Sequence, residues 1–333
     1  MNMIIKTAGS ILALSILAAC GGGDGGSSSG SGGSGGGSGG GSGGGTPLPK
    51  YTKQQMEWAS HESAYTTLGV TEIATLLANA ALDSTVVEET SHTENCARVG
   101  DAAPGTVTAT FPNAGPDHVL ANGEFVTLDF KNCELRAYDM MLHGQVKVTF
   151  SGISGDYRDL RAKFAVTATM PLDKLLLDGS ETLNGTLVFT RNLDRKGTST
   201  RDDDVETMKV STAQLDISRS EGGKAYATKI KDYSTERHIE NPADFTVFSS
   251  ASYGASGTDP LLGTYDHKVS LTTPVRYENL DEIVVGSGAF KTVTPAETIT
   301  TTFSSPSSGG SQVKIESTSG ISSTMTYEQY DDL

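Results

Sequence analysis

Alternation of apolar and polar residues with a period of two runs through most of the chain beyond Cys96. It is clear in Gln145-Val146-Lys147-Val148-Thr149-Phe150 and in Lys163-Phe164-Ala165-Val166-Thr167-Ala168-Thr169-Met170, where the even positions are apolar. Thr207 to Ser211, Lys268 to Leu271, Gln312 to Glu316 and Ser323 to Tyr327 repeat it. Successive side chains of a strand point to opposite faces, so this pattern commits each segment to a strand with one dry and one wet face, the habit of antiparallel sheets. Glycine, asparagine, aspartate and proline punctuate the strands at intervals short enough for hairpins. No helix-length segments separate them, which argues against a parallel α/β fold. The expectation is a mainly β protein: an antiparallel β-meander, sandwich or curved sheet with a short N-terminal helical region.

Leu142-His143-Gly144-Gln145-Val146-Lys147-Val148-Thr149 is echoed by Leu183-Asn184-Gly185-Thr186-Leu187-Val188-Phe189-Thr190. Two copies do not make a solenoid, and a bulge or turn glycine opening each strand accounts for the echo. Arg191 to Glu206, with Asp202, Asp203 and Asp204, reads as a long exposed hairpin loop without the spacing of a calcium loop.

The helical region is Lys53 to Leu82, with Met56, Ala59, Ile73, Leu76, Leu77, Ala80 and Ala81 as apolar members and few strand formers. Gly69 is expected to split it into two pieces, the second of which, Thr71 to Leu82, lays an apolar strip against the sheet.

Two segments precede this part. Gly21 to Gly45 holds 17 glycines, 7 serines and Asp24. That composition has nothing to bury and is expected to be a disordered tether with a root-mean-square reach of about 27 Å. Before it, Met1 to Lys6 supplies a positive n-region, Thr7 to Leu17 an uncharged apolar run, and Ala18 and Ala19 the small residues a signal peptidase needs. The run is too short for a membrane span of ~20 residues. Leu17-Ala18-Ala19-Cys20 resembles the lipobox of Gram-negative bacterial lipoproteins. The resemblance covers only this leader and implies that Cys20 is acylated and becomes the new N-terminus, with the lipid bilayer as its partner. In that family an aspartate after the cysteine favours retention in the inner membrane. Gly21 stands there, so the expected location is the outer membrane. The organisation expected is a signal peptide over 1–19, a lipidated cysteine and tether over 20–45, a helical region over 46–95 and a β-rich domain over 96–333.

With Cys20 carrying lipid, Cys96 and Cys133 remain as an even pair in an oxidising compartment, and a disulfide between them is expected. It would staple the helical start to a strand over Gly123 to Phe130. The spacing is not C-x-x-C, so a redox-active pair is not indicated.

The chain carries a formal charge of −15 with scattered lysines and arginines, which leaves no basic footprint for nucleic acid. His61-Glu62-Ser63-Ala64-Tyr65 begins like a zinc-protease helix but has Tyr65 where the second histidine must stand, so no metal is expected there. His92, His118, His143, His238 and His267 are dispersed and read as surface or turn residues. Ser311-Gln312-Val313-Lys314 matches S-x-x-K but lies on an alternating strand, not at a helix start. The G-x-S-x-G of the tether lacks the strand and helix that give such a motif meaning. Trp58 is the one tryptophan; Tyr226, Tyr233, Tyr253, Tyr265 and Tyr277 are candidate ligand aromatics, with core packing as their default. No catalytic residues and no cofactor are assigned. The expected function is a non-catalytic binding or scaffold β domain at the envelope. The alternatives are an apolar-ligand carrier, a hydrolase with a site assembled from distant residues, and a transmembrane β-barrel.

Overall fold

The computed structural model describes residues 50–96, 105–135, 140–159, 161–197, 204–221, 223–241, 245–277, 285–305 and 311–333. A long helix, α1 (Lys53–Ser84), is followed by β1 (Ser91–Asn95), β2 (Thr106–Thr110), β3 (Phe125–Leu135), β4 (Met140–Ser154) and β5 (Phe164–Leu177). Then come β6 (Glu181–Asp194), β7 (Val205–Glu221), β8 (Lys224–Asn241), β9 (Phe245–Asp259) and β10 (Gly263–Tyr277). The last elements are β11 (Val285–Val293), β12 (Thr298–Ser304), β13 (Gln312–Ser317), β14 (Ser322–Thr326) and a short helix, α2 (Tyr327–Asp331). The protein is mainly β, as the alternation predicts. Among the described residues the fourteen strands form one antiparallel sheet in sequence order, an uninterrupted meander with β1 and β14 at its edges.

The sheet curls around α1. The helix lies close to β2–β7 on one side and to β11–β14 on the other. Nineteen of its 32 residues are buried, far more than the single stripe of a helix laid on a sheet, and the burial runs unbroken from Thr67 to Thr71. Dimensions match. A 32-residue helix is about 48 Å long, and strands of 14 to 18 residues, the lengths of β4–β10, span about 45–60 Å. The helix therefore fills the trough along its whole length. Thr52 caps it in a reciprocal box with Gln55.

The expected break at Gly69 does not occur. A mid-helix glycine costs about 1 kcal/mol relative to alanine, and here the enclosing sheet and a ladder of side-chain bonds hold the turn. Ser63, Thr67, Thr71 and Thr75 each donate to the carbonyl four residues back, at 2.7–2.9 Å. The same hydroxyls meet the sheet. Thr292 of β11 donates to Ser63 Oγ at 2.9 Å, and Tyr233 of β8 and Thr235 lie 2.8 and 2.9 Å from Thr71 Oγ1. One turn earlier Ser60 Oγ lies 2.6 Å from Thr301 of β12. This row of small hydroxyls lets an enclosed helix satisfy polar neighbours without bulk.

Three other expectations change. β6 runs on to Asp194 and β7 starts at Val205, so both ends of the expected Arg191–Glu206 loop are strand. The charges at those ends pair instead of facing water, with Arg191 Nε 2.5 Å from Glu206 Oε1. Asp204 is buried, and Asp202 and Asp203 lie outside the described residues. His267 is buried in β10, not on the surface. Cys96 and Cys133 are bonded, with Cα atoms 5.0 Å apart, but Ser91–Asn95 is a strand, so the bridge ties the end of β1 to β3 across β2 and does not staple the helix. The echoed glycines Gly144 and Gly185 both sit at positive φ beside register shifts in the ladders, which makes the repeat a pair of bulges.

Candidate binding recess at the tether end

The short turns β5–β6, β7–β8 and β9–β10 lie at the rim where α1 begins. There the backbones of β8–β10 approach the helix less closely than those of β2–β7 and β11–β14. Long side chains bridge the separation. Tyr253 of β9 donates to the carbonyl of Ser63 and Tyr233 to that of Thr67, both at 2.6 Å. At the rim itself, Trp58 donates Nε1–H to Asp259 at 3.1 Å and Gln55 donates to the carbonyl of Leu261 at 2.9 Å.

Between these bridges lies a cluster of polar and charged side chains. Glu181 of β6 is in register with Arg219 of β7, and Arg219 with Tyr226 of β8. Their side chains share one face, and the Arg219 guanidinium carbon sits 4.2 Å from the centre of the Tyr226 ring. Two residues further along the same strands Leu183, Ile217, Thr228 and Gly257 align, with Tyr265 of β10 opposite Gly257. With no side chain at Gly257, Tyr265 leans across β9 to place its hydroxyl 2.6 Å from Thr228 Oγ1. A Cβ at Gly257 would lie 1.8 Å from the carbonyl oxygen of Ala227. From the helix, Glu62 faces this row. Glu62, Glu181, Arg219, Tyr226 and Tyr265 are all half-buried.

The electrostatics follow from that placement. Burial pushes the Glu62 carboxyl up to about 7, against the pull of Arg219 and with Asp259 and Glu181 adding repulsion. Burial also raises Glu181, again opposed by Arg219. Two residues along β10 from Tyr265, His267 Nε2 lies 2.9 Å from Tyr51 Oη. Burial lowers His267 to about 4, while burial and the nearby carboxylates of Glu297 and Asp259 raise Tyr51 to about 12. Asp259 is fully engaged, accepting from Trp58 and from the amides of Leu261 and Leu262. No side-chain hydrogen bond of Glu62 or Glu181 contributes to these shifts, which come from burial and from neighbouring charges.

The motif residues of the sequence are scattered by comparison. His61 is buried and stacked between Trp58 and Tyr65, with ring centroids 5.7 and 4.0 Å away, and Tyr330 of α2 meets it edge-on. It fills an aromatic joint. Ser311 precedes β13, while Lys314 points outward and pairs with Glu316 at 2.8 Å, so the two do not converge. Tyr233 and Tyr253 are buried struts, and Tyr226 and Tyr265 belong to the charged cluster. Cys20 and the tether lie outside the described residues. Glu62 stands out in the sequence only within the incomplete zinc-protease motif, and Glu181 and Arg219 carry no sequence signal beyond being charged, since strand register alone pairs them. The apolar gap where Ala64, Leu68, Phe290, Phe303, Tyr327 and Tyr330 meet has a free volume of about 10 Å³, room for a single water at most. The chain matches no family model, and no curated protein or solved structure is detectably similar to it.

Proposed function

We propose that this chain is a lipid-anchored outer-membrane protein whose folded part, leashed by the glycine-serine tether to an acylated Cys20, acts as a non-catalytic binding or scaffold domain. The observation that carries the reading is the position of α1. The helix occupies the inside of the curled sheet, the space in which an apolar carrier would hold 300–1,000 Å³ of ligand, so binding is left to the rim and the outer face. The outer face supports an aqueous setting. Lys147, Lys209, Lys229, Lys268, Lys291 and Lys314 are exposed across it, where a membrane barrel presents an apolar band.

The anchor is tested by growing cells with an alkyne-bearing palmitate and following the label. The wild-type chain is expected to take up label and fractionate with the outer membrane, and Cys20→Ala to lose both. An unlabelled wild type in the soluble fraction would overturn the reading. The hydrolase alternative is favoured by one observation: Glu62 is a carboxyl held protonated near neutrality beside Glu181, as a general acid must be. It predicts turnover of glycoside or ester substrates that Glu62→Gln abolishes, whereas the binding reading predicts none.

A further inference from the structure

His61 sits in the joint between the two helices. Its ring stacks between Trp58 and Tyr65 of α1, and Tyr330 of α2 closes over it edge-on, with ring centroids 5.4 Å apart. Both ring nitrogens are shut off from solvent and neither closes a hydrogen bond. A neutral imidazole leaves one donor and one acceptor unsatisfied there. An imidazolium would leave two donors and a full charge, which an enclosed joint does not tolerate. The enclosure is supplied by α2. Tyr330 is fully buried, its hydroxyl lies 3.1 Å from Ser60 Oγ, and Asp331 accepts from the hydroxyl of Tyr65. Beside the joint is the one-water gap walled by Ala64, Leu68, Phe290 and Phe303, which Tyr327 and Tyr330 of α2 complete.

We infer that α2 is an acid-released latch: it seats against α1 while His61 is neutral, and lifts away with the sheet still standing when His61 takes up a second ring proton. The hinge is Thr326, an extended residue whose side chain caps α2. Lifting gives the imidazolium water and opens the apolar gap.

The groups around His61 set the sign. From its own helix come Tyr65 and, one turn back, Glu57, which is engaged with Lys53 and with Ser323 of β14. From α2 come Tyr330 and Asp331, while β12 presents Phe303 and Thr301, which carry no charge. Burial lowers His61 from 6.5 to about 4, and the Asp331 carbonyl pulls the other way without reversing the shift. Burial raises the Asp331 carboxyl, so its protonation favours the seated latch and opposes release. That opposition is the smaller one. Asp331 is half-exposed and can still accept from Tyr65 when protonated, whereas His61 has neither solvent nor a hydrogen-bond partner. A seated value below the free one couples proton uptake to release, so the lifted population grows as pH falls from 6.5 towards 4.

The experiment places a thiol under the latch. Ala64→Cys sets one on the wall of the gap, and Cys96 and Cys133 are bonded to each other. The probe is 4,4′-dithiodipyridine, which reacts with thiols in acid. It is applied to the mature lipoprotein in detergent at pH 6.5 and pH 4.0, with a free cysteine peptide as the rate reference at each pH. Mass spectrometry of the labelled peptide confines the readout to position 64, whatever the state of Cys20. Referenced labelling should quicken at least tenfold at pH 4.0 while far-ultraviolet circular dichroism keeps its strand signal. With His61→Phe or His61→Leu alongside, which fill the joint but take no proton, the rate at pH 4.0 should stay within twofold of that at pH 6.5. Two replacements are used so that one folded variant suffices, with near-ultraviolet circular dichroism establishing the fold. Equal referenced rates at the two pH values overturn the inference, as does the same acceleration in a folded His61 variant. Labelling that quickens only as the strand signal is lost also overturns it, because the whole fold and not the latch has then opened.

Discussion

The phenol of Tyr253 donates to the carbonyl of Ser63 at 2.6 Å, and about one helical turn away the phenol of Tyr233 does the same to Thr67. These two struts span the stretch where the sheet stands off from the helix, and both are fully enclosed. Each carbonyl also accepts from a threonine hydroxyl, so loss of one phenol leaves it partly satisfied. Tyr253→Phe and Tyr233→Phe should each lower unfolding free energy by about 1 kcal/mol. Urea denaturation measures it, with an unchanged m-value showing that the fold is retained.

Acid should weaken the protein through two histidines. Burial lowers both His61 and His267 to about 4, from an ordinary value of 6.5. Their folded-state values lie below their unfolded ones, so the unfolded chain binds more protons between those limits. Stability from this source is complete above about 6.5 and lost as pH falls towards 4. Each contributes about 2–3 kcal/mol across that window by linkage. His61→Leu keeps the contacts of the Trp58–Tyr65–Tyr330 joint apolar, and should flatten the fall in urea midpoint between pH 7 and pH 4.5. An unaltered slope would show that His61 is not buried neutral.

Glu62 carries the opposite sign. Its folded-state value of about 7 exceeds the unfolded 4.5, so its contribution is most favourable below 4.5 and is lost as pH rises through 7. At pH 8, Glu62→Gln should stabilise the protein by about 1–3 kcal/mol. At pH 4 the substitution should be nearly silent. The comparison is made by thermal or urea unfolding at the two pH values.

The Cys96–Cys133 bond closes a 37-residue loop. Reduction, or the double Cys→Ser variant, should cost about 3–4 kcal/mol on the chain-entropy account. The damage should be local. Cys96 N–H also bonds Gly105, and the bridge secures the β1–β2 ribbon, so hydrogen exchange should quicken there first while β5–β9 stay protected.

The fold class was legible because a half-wet sheet writes its geometry into every second residue. Phe164, Val166, Ala168 and Met170 are buried in β5 and their neighbours are not. The enclosure of α1 was not legible. An enclosed helix is recognised by apolar residues on all sides, and here Ser60, Ser63, Thr67, Thr71 and Thr75 hold those sides with hydroxyls that read as polar. The break expected at Gly69 followed from the helix-weakening effect of glycine, which enclosure by the sheet overrides. The Arg191–Glu206 stretch looked like a loop because its charges suggested water, whereas Arg191 and Glu206 satisfy each other across adjacent strands. The charged cluster was hidden for a different reason. Glu62, Glu181 and Arg219 are distant in sequence, and only Trp58, Tyr226 and Tyr265 stood out, as members of scarce residue types.

Hydrogen exchange of the α1 amides tests most directly the claim that this helix is the permanent filling of the sheet and not a displaceable lid over a ligand chamber. Amides from Ser60 to Leu82 should exchange as slowly as those of β5–β9, opening only with global unfolding. Rapid exchange along α1 while the central strands stay protected would contradict it. It would mean that the helix leaves a standing sheet and that the trough is available to a ligand after all.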